Sequence, residues 1–124
     1  MSFYLTNTKA TITLENNTIK NNDKTGNFLR AEEISWGTSG SNGADITLNL
    51  KNQTVLGNFV LDSISSITIN ATKNSVIEGA INCENTTKNV TLKLDKTTKI
   101  KNKDTTNSNI DLNSYKLYIN VKSI

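Results

Sequence analysis

A chain of 124 residues is long enough for one domain with its own core, and its charge of +3, from 14 basic and 11 acidic side chains, is too small and scattered to predict nucleic-acid binding. The chain has no His and one Cys, which excludes an internal disulfide, His-dependent catalytic groups and the usual zinc sites. No apolar run approaches the ~20 residues that cross a bilayer, and the first residues do not resemble a signal peptide.

The composition favours short β-strands joined by tight corners. The sequence has 20 Asn, 18 Thr and no Pro, and aliphatic residues recur at every second position within short segments. Thr and Val favour pleated strands, whereas Asn tolerates the left-handed backbone conformation of tight corners. No long segment has helical periodicity, so we predict an all-β protein with almost no helix.

The first part of the chain predicts a short strand at 3–5 and then three further strands. These cover residues 10–14, 18–20 and 28–32. Asn16 and Asn17 form the corner between the first two of them. Residues 33–43 then interrupt the pattern with three Gly, three Ser and the only Trp, and we predict that they form an insertion loop.

Residues 44–88 contain two copies of one sequence pattern. Each copy has an alternating strand, a corner with Asn, a short second strand, a Gly and a third strand that ends in an acidic residue. The inward first-strand positions Ile46, Ile67, Val90 and Ile110 are 21, 23 and 20 residues apart. Internal repetition at this period indicates a solenoid.

We therefore predict a single domain over residues 1–124, folded as a short right-handed single-stranded parallel β-helix with about 20–23 residues per coil. Each coil contributes three strands, and equivalent strands of successive coils lie side by side. A longer alternating strand at 115–121 closes the stack. Open strand edges at the ends of the solenoid predict self-association between copies.

Stacking predicts which residues of different coils are neighbours. On the first side, one inward column contains Ile12, Ile46, Ile67, Val90 and Ile110. On the third side, one column contains Leu29, Phe59 and Ile81, and the next contains Ala31, Leu61 and Cys83. The third-side alignment requires a one-residue bulge in the strand at 28–32, and it makes Cys83 a core thiol.

An acidic residue ends each third strand. Glu32, Asp62 and Glu84 would form a column of carboxylates about 4.8 Å apart. Oxygen ligands at this separation suit Ca²⁺, so the column is a candidate calcium or sugar site. A solvated acidic ridge, balanced by Arg30 and nearby lysines, explains the same pattern. Two carboxylates could also act as acid and base on a glycosidic bond, although no catalytic motif surrounds them.

Trp36 is a second candidate contact for a ligand. It lies beside Gly37 in the Gly/Ser loop, where an exposed aromatic ring could stack on a sugar or a base. The alternative is that Trp36 folds back over an open flank of the solenoid and buries its own apolar area.

The sequence also resembles a group of known proteins. The run GNFLRAEEISWGTSGSNGADITLNL, followed by GNFVLDSIS, EGAIN and SNIDLNSYKLYIN, is similar to the C-terminal coils of bacterial secreted β-helix proteins described as carbohydrate-binding or adhesin-like. The loop from Ser35-Trp36-Gly37 to Ser41-Asn42-Gly43 is the most specific part. The resemblance implies a right-handed parallel β-helix at the cell surface that binds polysaccharide or acidic sugars, with calcium as an optional ligand. It carries over no catalytic residue.

We expect a non-enzymatic extracellular module that binds polysaccharide, without nucleic acid, a membrane span or a cofactor other than calcium. The candidate ligand-binding residues are Trp36, Arg30, Glu32, Asp62 and Glu84. One alternative is a purely structural, oligomerising terminal segment of a longer solenoid. Another is a polysaccharide lyase or glycoside hydrolase.

Overall fold

The structure, a computed structural model, describes residues 2–20, 26–35, 37–79, 81 and 90–101. This part of the chain contains eleven β-strands and no helix, as the composition predicts. The strands are β1 (Phe3–Leu5), β2 (Thr8–Glu15), β3 (Thr18–Lys20), β4 (Asn27–Ala31), β5 (Ala44–Lys51), β6 (Thr54–Leu56), β7 (Asn58–Leu61), β8 (Ser66–Thr72), β9 (Val76–Glu78), β10 (Val90–Leu94) and β11 (Lys99–Lys101).

The strands form three sheets in which every pairing is parallel. The first sheet has the order β10-β8-β5-β2, the second β11-β9-β6-β3, and the third β1-β4-β7. Each successive repeat of the chain therefore adds one strand to the same edge of a sheet. We call β2–β4 the first repeat, β5–β7 the second, β8–β9 with residue 81 the third, and β10–β11 the fourth.

Alternation along each strand separates core from surface. In β5 the inward residues Ile46, Leu48 and Leu50 are fully buried, and the residues between them face outward. The same alternation in β8 buries Ile67 and Ile69 directly beside Ile46 and Leu48 of the neighbouring strand. Because inward aliphatic side chains stack on one another from repeat to repeat, one continuous core runs through the described residues.

Asparagine lies at the corner between the first and second strands in the first three repeats, as predicted, whereas the corner of the fourth is Asp95-Lys96-Thr97-Thr98. Asn16 and Asn52 have positive φ angles of 60° and 47°, a conformation that Asn adopts more easily than most residues. The Asn52 side chain donates from Nδ2 to Asn16 Oδ1 at 2.9 Å. In the next repeat the corner uses Lys73 and Asn74, with φ angles of 57° and 63°.

The predicted alignment of Ile12 with Ile46 is wrong by two residues. Ala10 pairs with Ile46, and Ile12 pairs with Leu48. The physical reason is that the corners stack and fix the register: Asn16 N–H donates to Lys51 O at 3.0 Å. The alignments of Ile46 with Ile67 and of Ile67 with Val90 are confirmed, whereas Ile110 lies outside the described residues.

The predicted columns on the third side are confirmed where the structure describes them. Leu29 pairs with Phe59, Phe59 bridges to Ile81, and Ala31 pairs with Leu61. The register shifts between Asn27 and Leu29, where the bulge was expected, and Phe28 between them is fully buried. Cys83 and the strand predicted at 115–121 lie outside the described residues.

Buried polar side chains join the corners of neighbouring repeats. Gln53, Ser65 and Ser75 are fully buried, and each accepts a hydrogen bond from a backbone N–H of the preceding repeat. These donors belong to Asn17, Ala44 and Gln53, at 3.1, 3.1 and 3.2 Å. Because a buried N–H without an acceptor is unfavourable, these side chains help to fix the vertical register. None of the described segments is a helix that could span a membrane.

Candidate binding site

The segment between β4 and β5 runs beside the first strand of the chain. Its described residues, 32–35 and 37–43, contain no strand. Glu32 N–H donates to Leu5 O at 3.2 Å, and Asn42 O accepts from Asn7 N–H at 2.8 Å. These two bonds anchor both ends of the segment to residues 5–7, so the groups around it meet at one corner of the molecule.

The outer face of the third sheet carries a bonded set of three side chains, Tyr4, Arg30 and Glu32, which we call the Tyr4 group. Tyr4 pairs with Arg30 in register. The Tyr4 hydroxyl donates to Glu32 Oε1 at 2.8 Å, and Arg30 donates from its guanidinium to Glu32 Oε2 at 3.2 Å. Tyr4 is 45% exposed, which leaves part of its ring open to solvent.

Glu32 also governs the ionisation of Tyr4. Its hydrogen bond raises the pKa of the Tyr4 phenol, burial and the Glu32 charge act in the same direction, and the Arg30 charge opposes them. The pKa of Tyr4 is higher in the folded than in the unfolded chain, where it is about 10. The bond therefore stabilises the fold fully at pH values below about 10. This stabilisation is lost as the pH rises through the raised pKa.

The carboxylate of Asp62 is engaged by the backbone. Asp62 Oδ2 accepts from Glu33 N–H at 2.8 Å, and Oδ1 accepts from Ile64 N–H at 3.3 Å. Asp62 follows Leu61 as Glu32 follows Ala31, so the two acids occupy equivalent positions, but their carboxylates bond different partners. Among the described residues, no three Asp, Glu, Cys or His side chains are grouped so that they could hold a metal ion.

Two of the sequence-predicted contacts, Trp36 and Glu84, lie outside the described residues. Of the remaining three, Arg30 and Glu32 belong to one bonded set. Asp62 is not part of this set, and its carboxylate accepts from Glu33 N–H at the start of the 33–43 loop.

A cleft of about 370 Å³ opens in the loop. It is lined by Glu33, Ile34, Ser35, Gly37, Ser39 and Asn42. One carboxylate oxygen of Glu33 accepts from Gly40 N–H at 2.8 Å, which holds the tip of the loop against Glu33. The cleft therefore combines an acidic group, two hydroxyls and an amide.

Asn42 is the unusual member of this lining. It is only 4% exposed, and its Nδ2 is a buried donor without a hydrogen-bond partner. An unmet buried donor costs about 1–3 kcal/mol, so such groups are uncommon in folded proteins and each calls for an explanation. The amide lies against Gly37, where an added Cβ would come within 2.5 Å of Asn42 Oδ1.

A second polar surface covers the outer face of the first sheet. Thr11, Thr47, Thr68 and Thr91 form one column there, with one threonine from each repeat. In the next column Asn70 Nδ2 donates to Asn49 Oδ1 at 2.9 Å, and Asn49 Nδ2 donates to Thr13 Oγ1 at 3.3 Å. A shallow cleft of about 300 Å³ lies over this column, with Lys51 and Thr72 in its lining.

The sequence interpretation missed Tyr4, Glu33 and Asn42. For Tyr4 a signal existed, because FYL at 3–5 has the same inward pattern as the third strands, so aligning it with 29–31 would have placed Tyr4 beside Arg30. No sequence signal marks Asn42, since its importance arises from a missing partner in three dimensions.

No protein-family model, curated protein or solved structure matches the chain. The functional proposal therefore rests on the geometry of the Tyr4 group and its surroundings.

Proposed function

We propose that the three parallel sheets are the sides of a right-handed parallel β-helix, in which each repeat forms one coil. Support comes from the strand orders, since successive repeats follow one another in the same direction in all three sheets. Parallel strands joined within one sheet almost always cross over with a right hand. The core of stacked aliphatic columns is the kind that such a solenoid builds.

We further propose that this scaffold binds polysaccharide at the cell surface without catalysing a reaction. The observation that carries the proposal is the Tyr4 group, an exposed aromatic side chain bonded to an ion pair. A tyrosine ring offers an apolar surface to the C–H groups of a sugar, while Arg30 donates to and Glu32 accepts from hydroxyls. Their mutual bonds hold the three side chains in place, which lowers the entropy lost on binding.

The surroundings of the described acids support binding over hydrolysis. A glycosidase needs one carboxyl group that gives a proton and a second that acts as base or nucleophile. Asp62 accepts backbone N–H groups at both oxygens, and Glu32 accepts Tyr4 and Arg30 at its two oxygens. Both carboxylates are thus held as hydrogen-bond acceptors, and Glu32 keeps lone pairs for a sugar hydroxyl because each carboxylate oxygen can accept two hydrogen bonds.

A glycan array with wild-type protein, Tyr4→Ala and Tyr4→Phe tests the proposal. We expect the wild-type protein to bind at least one plant, fungal or bacterial polysaccharide. Tyr4→Ala should reduce that binding about tenfold because the ring is lost, whereas Tyr4→Phe retains the ring and should bind within about threefold of wild type. The absence of binding by the wild-type protein, or equal binding by all three, would remove this function.

A second candidate function is end-to-end association between copies. Among the described strands, β1, β2 and β3 lie at the edges of their sheets, and the first-repeat residues Ile12, Leu14 and Ile19 are only half-buried. An open strand edge beside partly exposed apolar groups favours pairing with another chain. Sedimentation velocity over a hundredfold range of protein concentration would detect it as a rising mean mass, and a constant monomer mass would exclude it.

A further inference from the structure

The cleft of the 33–43 loop contains a polar group that the fold leaves unused. Asn42 is held in place through its backbone, since its O accepts from Asn7 N–H at 2.8 Å and from the Thr6 hydroxyl at 3.4 Å. Its side-chain Nδ2 is buried and has no partner. The backbone therefore positions an amide donor that no group of the described chain accepts.

The turn above Asn42 contains two glycines with positive φ angles. Gly37 and Gly40 have φ angles of 74° and 88°, and a Cβ at Gly40 would meet nothing within 4 Å, so that side of the turn faces open space. Gly40 N–H donates to Glu33 Oε2, and Ser41 donates from its N–H and its hydroxyl to Thr38 O at 3.1 and 3.0 Å. The Asn42 amide lies against Gly37, so a displacement at Gly37 would expose it, and loss of the Gly40 bond would release Glu33 Oε2.

The chemistry of the lining restricts what the cleft can take. Asn42 Nδ2 donates only, the Glu33 carboxylate accepts only, and the Ser35 and Ser39 hydroxyls do both. Two hydroxyl groups on neighbouring carbons of a ligand can accept from Asn42 and donate to Glu33 at the same time. An anionic ligand would be repelled by Glu33, and the described residues contain no group of three Asp, Glu, Cys or His side chains that could hold a metal ion there.

We propose that this cleft binds one neutral sugar residue, with Asn42 as donor and Glu33 as acceptor to its hydroxyls. The inference rests on the proposed polysaccharide binding and adds a second contact, which recognises a single residue and is separate from the Tyr4 group. The volume of about 370 Å³ lies within the range of pockets for small ligands. The sugar is either a free monosaccharide or the terminal residue of a chain.

Saturation-transfer NMR with single sugars tests the cleft directly. The probes are D-glucose, D-galactose, D-mannose, L-arabinose and N-acetyl-D-glucosamine, each free and as its methyl glycoside. Binding of a methyl glycoside assigns the cleft to chain ends, and binding of the free sugar alone assigns it to monosaccharides. Either result supports the proposal if it depends on Asn42.

Variants then separate this site from its surroundings. Asn42→Leu should weaken the sugar signal about tenfold or more, while Thr38→Ala, in the same loop but not in the lining, should not change it. Because Nδ2 has no partner in the fold, Asn42→Leu should leave the melting temperature unchanged or raised. Should Asn42→Leu fail to fold, Glu33→Gln should show the same loss, because it keeps one oxygen for Gly40 N–H but replaces the second carboxylate oxygen with an NH2 donor.

Failure of this inference differs from failure of the proposed function. If the wild-type protein binds a polysaccharide through Tyr4 but binds no single sugar, or binds one that neither Asn42→Leu nor Glu33→Gln affects, the cleft proposal is wrong and the function stands. If neither polysaccharide nor single sugar binds, both are wrong.

Discussion

The stacked strands and the segment at 32–43 hold their side chains in opposite ways. Between β5 and β8, seven consecutive residue pairs lie in register, and each inward side chain is packed against its equivalents in neighbouring repeats. The 32–43 segment is fixed at a few points, such as Glu33 N–H to Asp62 and Asn42 O to Asn7, and it leaves one buried donor unmet. The stack satisfies its own groups, whereas the segment keeps some available. The groups proposed to meet a ligand therefore lie in this segment or beside it, where Tyr4 and Arg30 contact Glu32.

The largest expected effect comes from removing a side chain within the stack. Ile69 is fully buried between Leu48 and Leu92, so Ile69→Ala should lower the free energy of unfolding by about 3–4 kcal/mol. Ile12 occupies the same column in the first repeat but is half-buried, so Ile12→Ala should lower it by only about 1–2 kcal/mol. Urea denaturation measures both. Equal losses would show that the first repeat is covered as completely as the middle.

Gly79 lies in the stacked part and Gly40 in the 32–43 segment, so substitution of these two glycines compares the backbones of the two regions. A Cβ at Gly79 would lie 2.0 Å from Gly57 O, and the φ angle is +152°, so Gly79→Ala should cost at least about 2 kcal/mol. At Gly40 the φ angle is +88° but the space is open, so Gly40→Ala should cost about 1 kcal/mol from backbone strain alone. Thermal denaturation of the pair gives the difference, and a reversed order would contradict the close stacking of the repeats.

Asp95 joins the fourth repeat to the corner of the third. Its Oδ2 accepts from Lys73 N–H at 3.0 Å, and its Oδ1 accepts from Thr97 and Thr98. Burial acts to raise the pKa of Asp95, but these hydrogen bonds outweigh it and hold the pKa below its ordinary value.

Asp95→Ala should therefore lower stability at pH 7 by about 1 kcal/mol, as loss of a capping carboxylate does. Because the folded pKa is lowered, the stabilisation is present above the unfolded value of about 3.9 and is lost as the pH falls through the folded pKa. The melting temperatures of wild type and variant should accordingly converge below about pH 4. A difference that persists in acid would mean that the charge of Asp95 does not matter.

The smallest expected effect is a gain. Lys73 has a φ angle of 57°, which is unfavourable for a side chain with a Cβ, so Lys73→Gly should raise stability by at most about 1 kcal/mol. Asn74 has a φ angle of 63° but is a residue type that tolerates it, so Asn74→Gly should gain less. Chemical denaturation resolves the two, and a loss in Lys73→Gly would show that the lysine side chain itself stabilises the corner.

Sequence periodicity predicted the stacked part well because the alternation of inward and outward residues can be read within each short segment. Alternation identified the inward residues of β5, β8 and β10, and the repeat spacing matched Leu29 with Phe59 and Ala31 with Leu61. The first strand was misaligned because aliphatic residues at every second position allow a two-residue shift without changing the inward face. Counting back from the corner resolves the shift, since Ile46 precedes Asn52 by six residues and Ile12 precedes Asn16 by only four.

The candidate site was less accessible to sequence reasoning because its contacts join segments far apart in the chain. Glu32 was identified from its place at the end of a third strand and Arg30 as a cation that balances the acidic residues, but the bond from Tyr4, 28 residues before Glu32, depends on how β1 pairs with β4. Asp62 was identified as a ligand contact from its acidic charge and its place at the end of a third strand. Its observed partners are backbone N–H groups, which have no sequence signature.

The most direct test of where binding occurs compares one change at the corner with one on the regular face. The affinity of the best polysaccharide from the array would be measured by isothermal titration for wild type, Tyr4→Ala and Asn49→Ala, because Asn49 belongs to the bonded column of the first sheet. We predict about a tenfold or greater loss for Tyr4→Ala and an unchanged affinity for Asn49→Ala. Loss in Asn49→Ala with full binding by Tyr4→Ala would place the ligand on the stacked face and contradict the account.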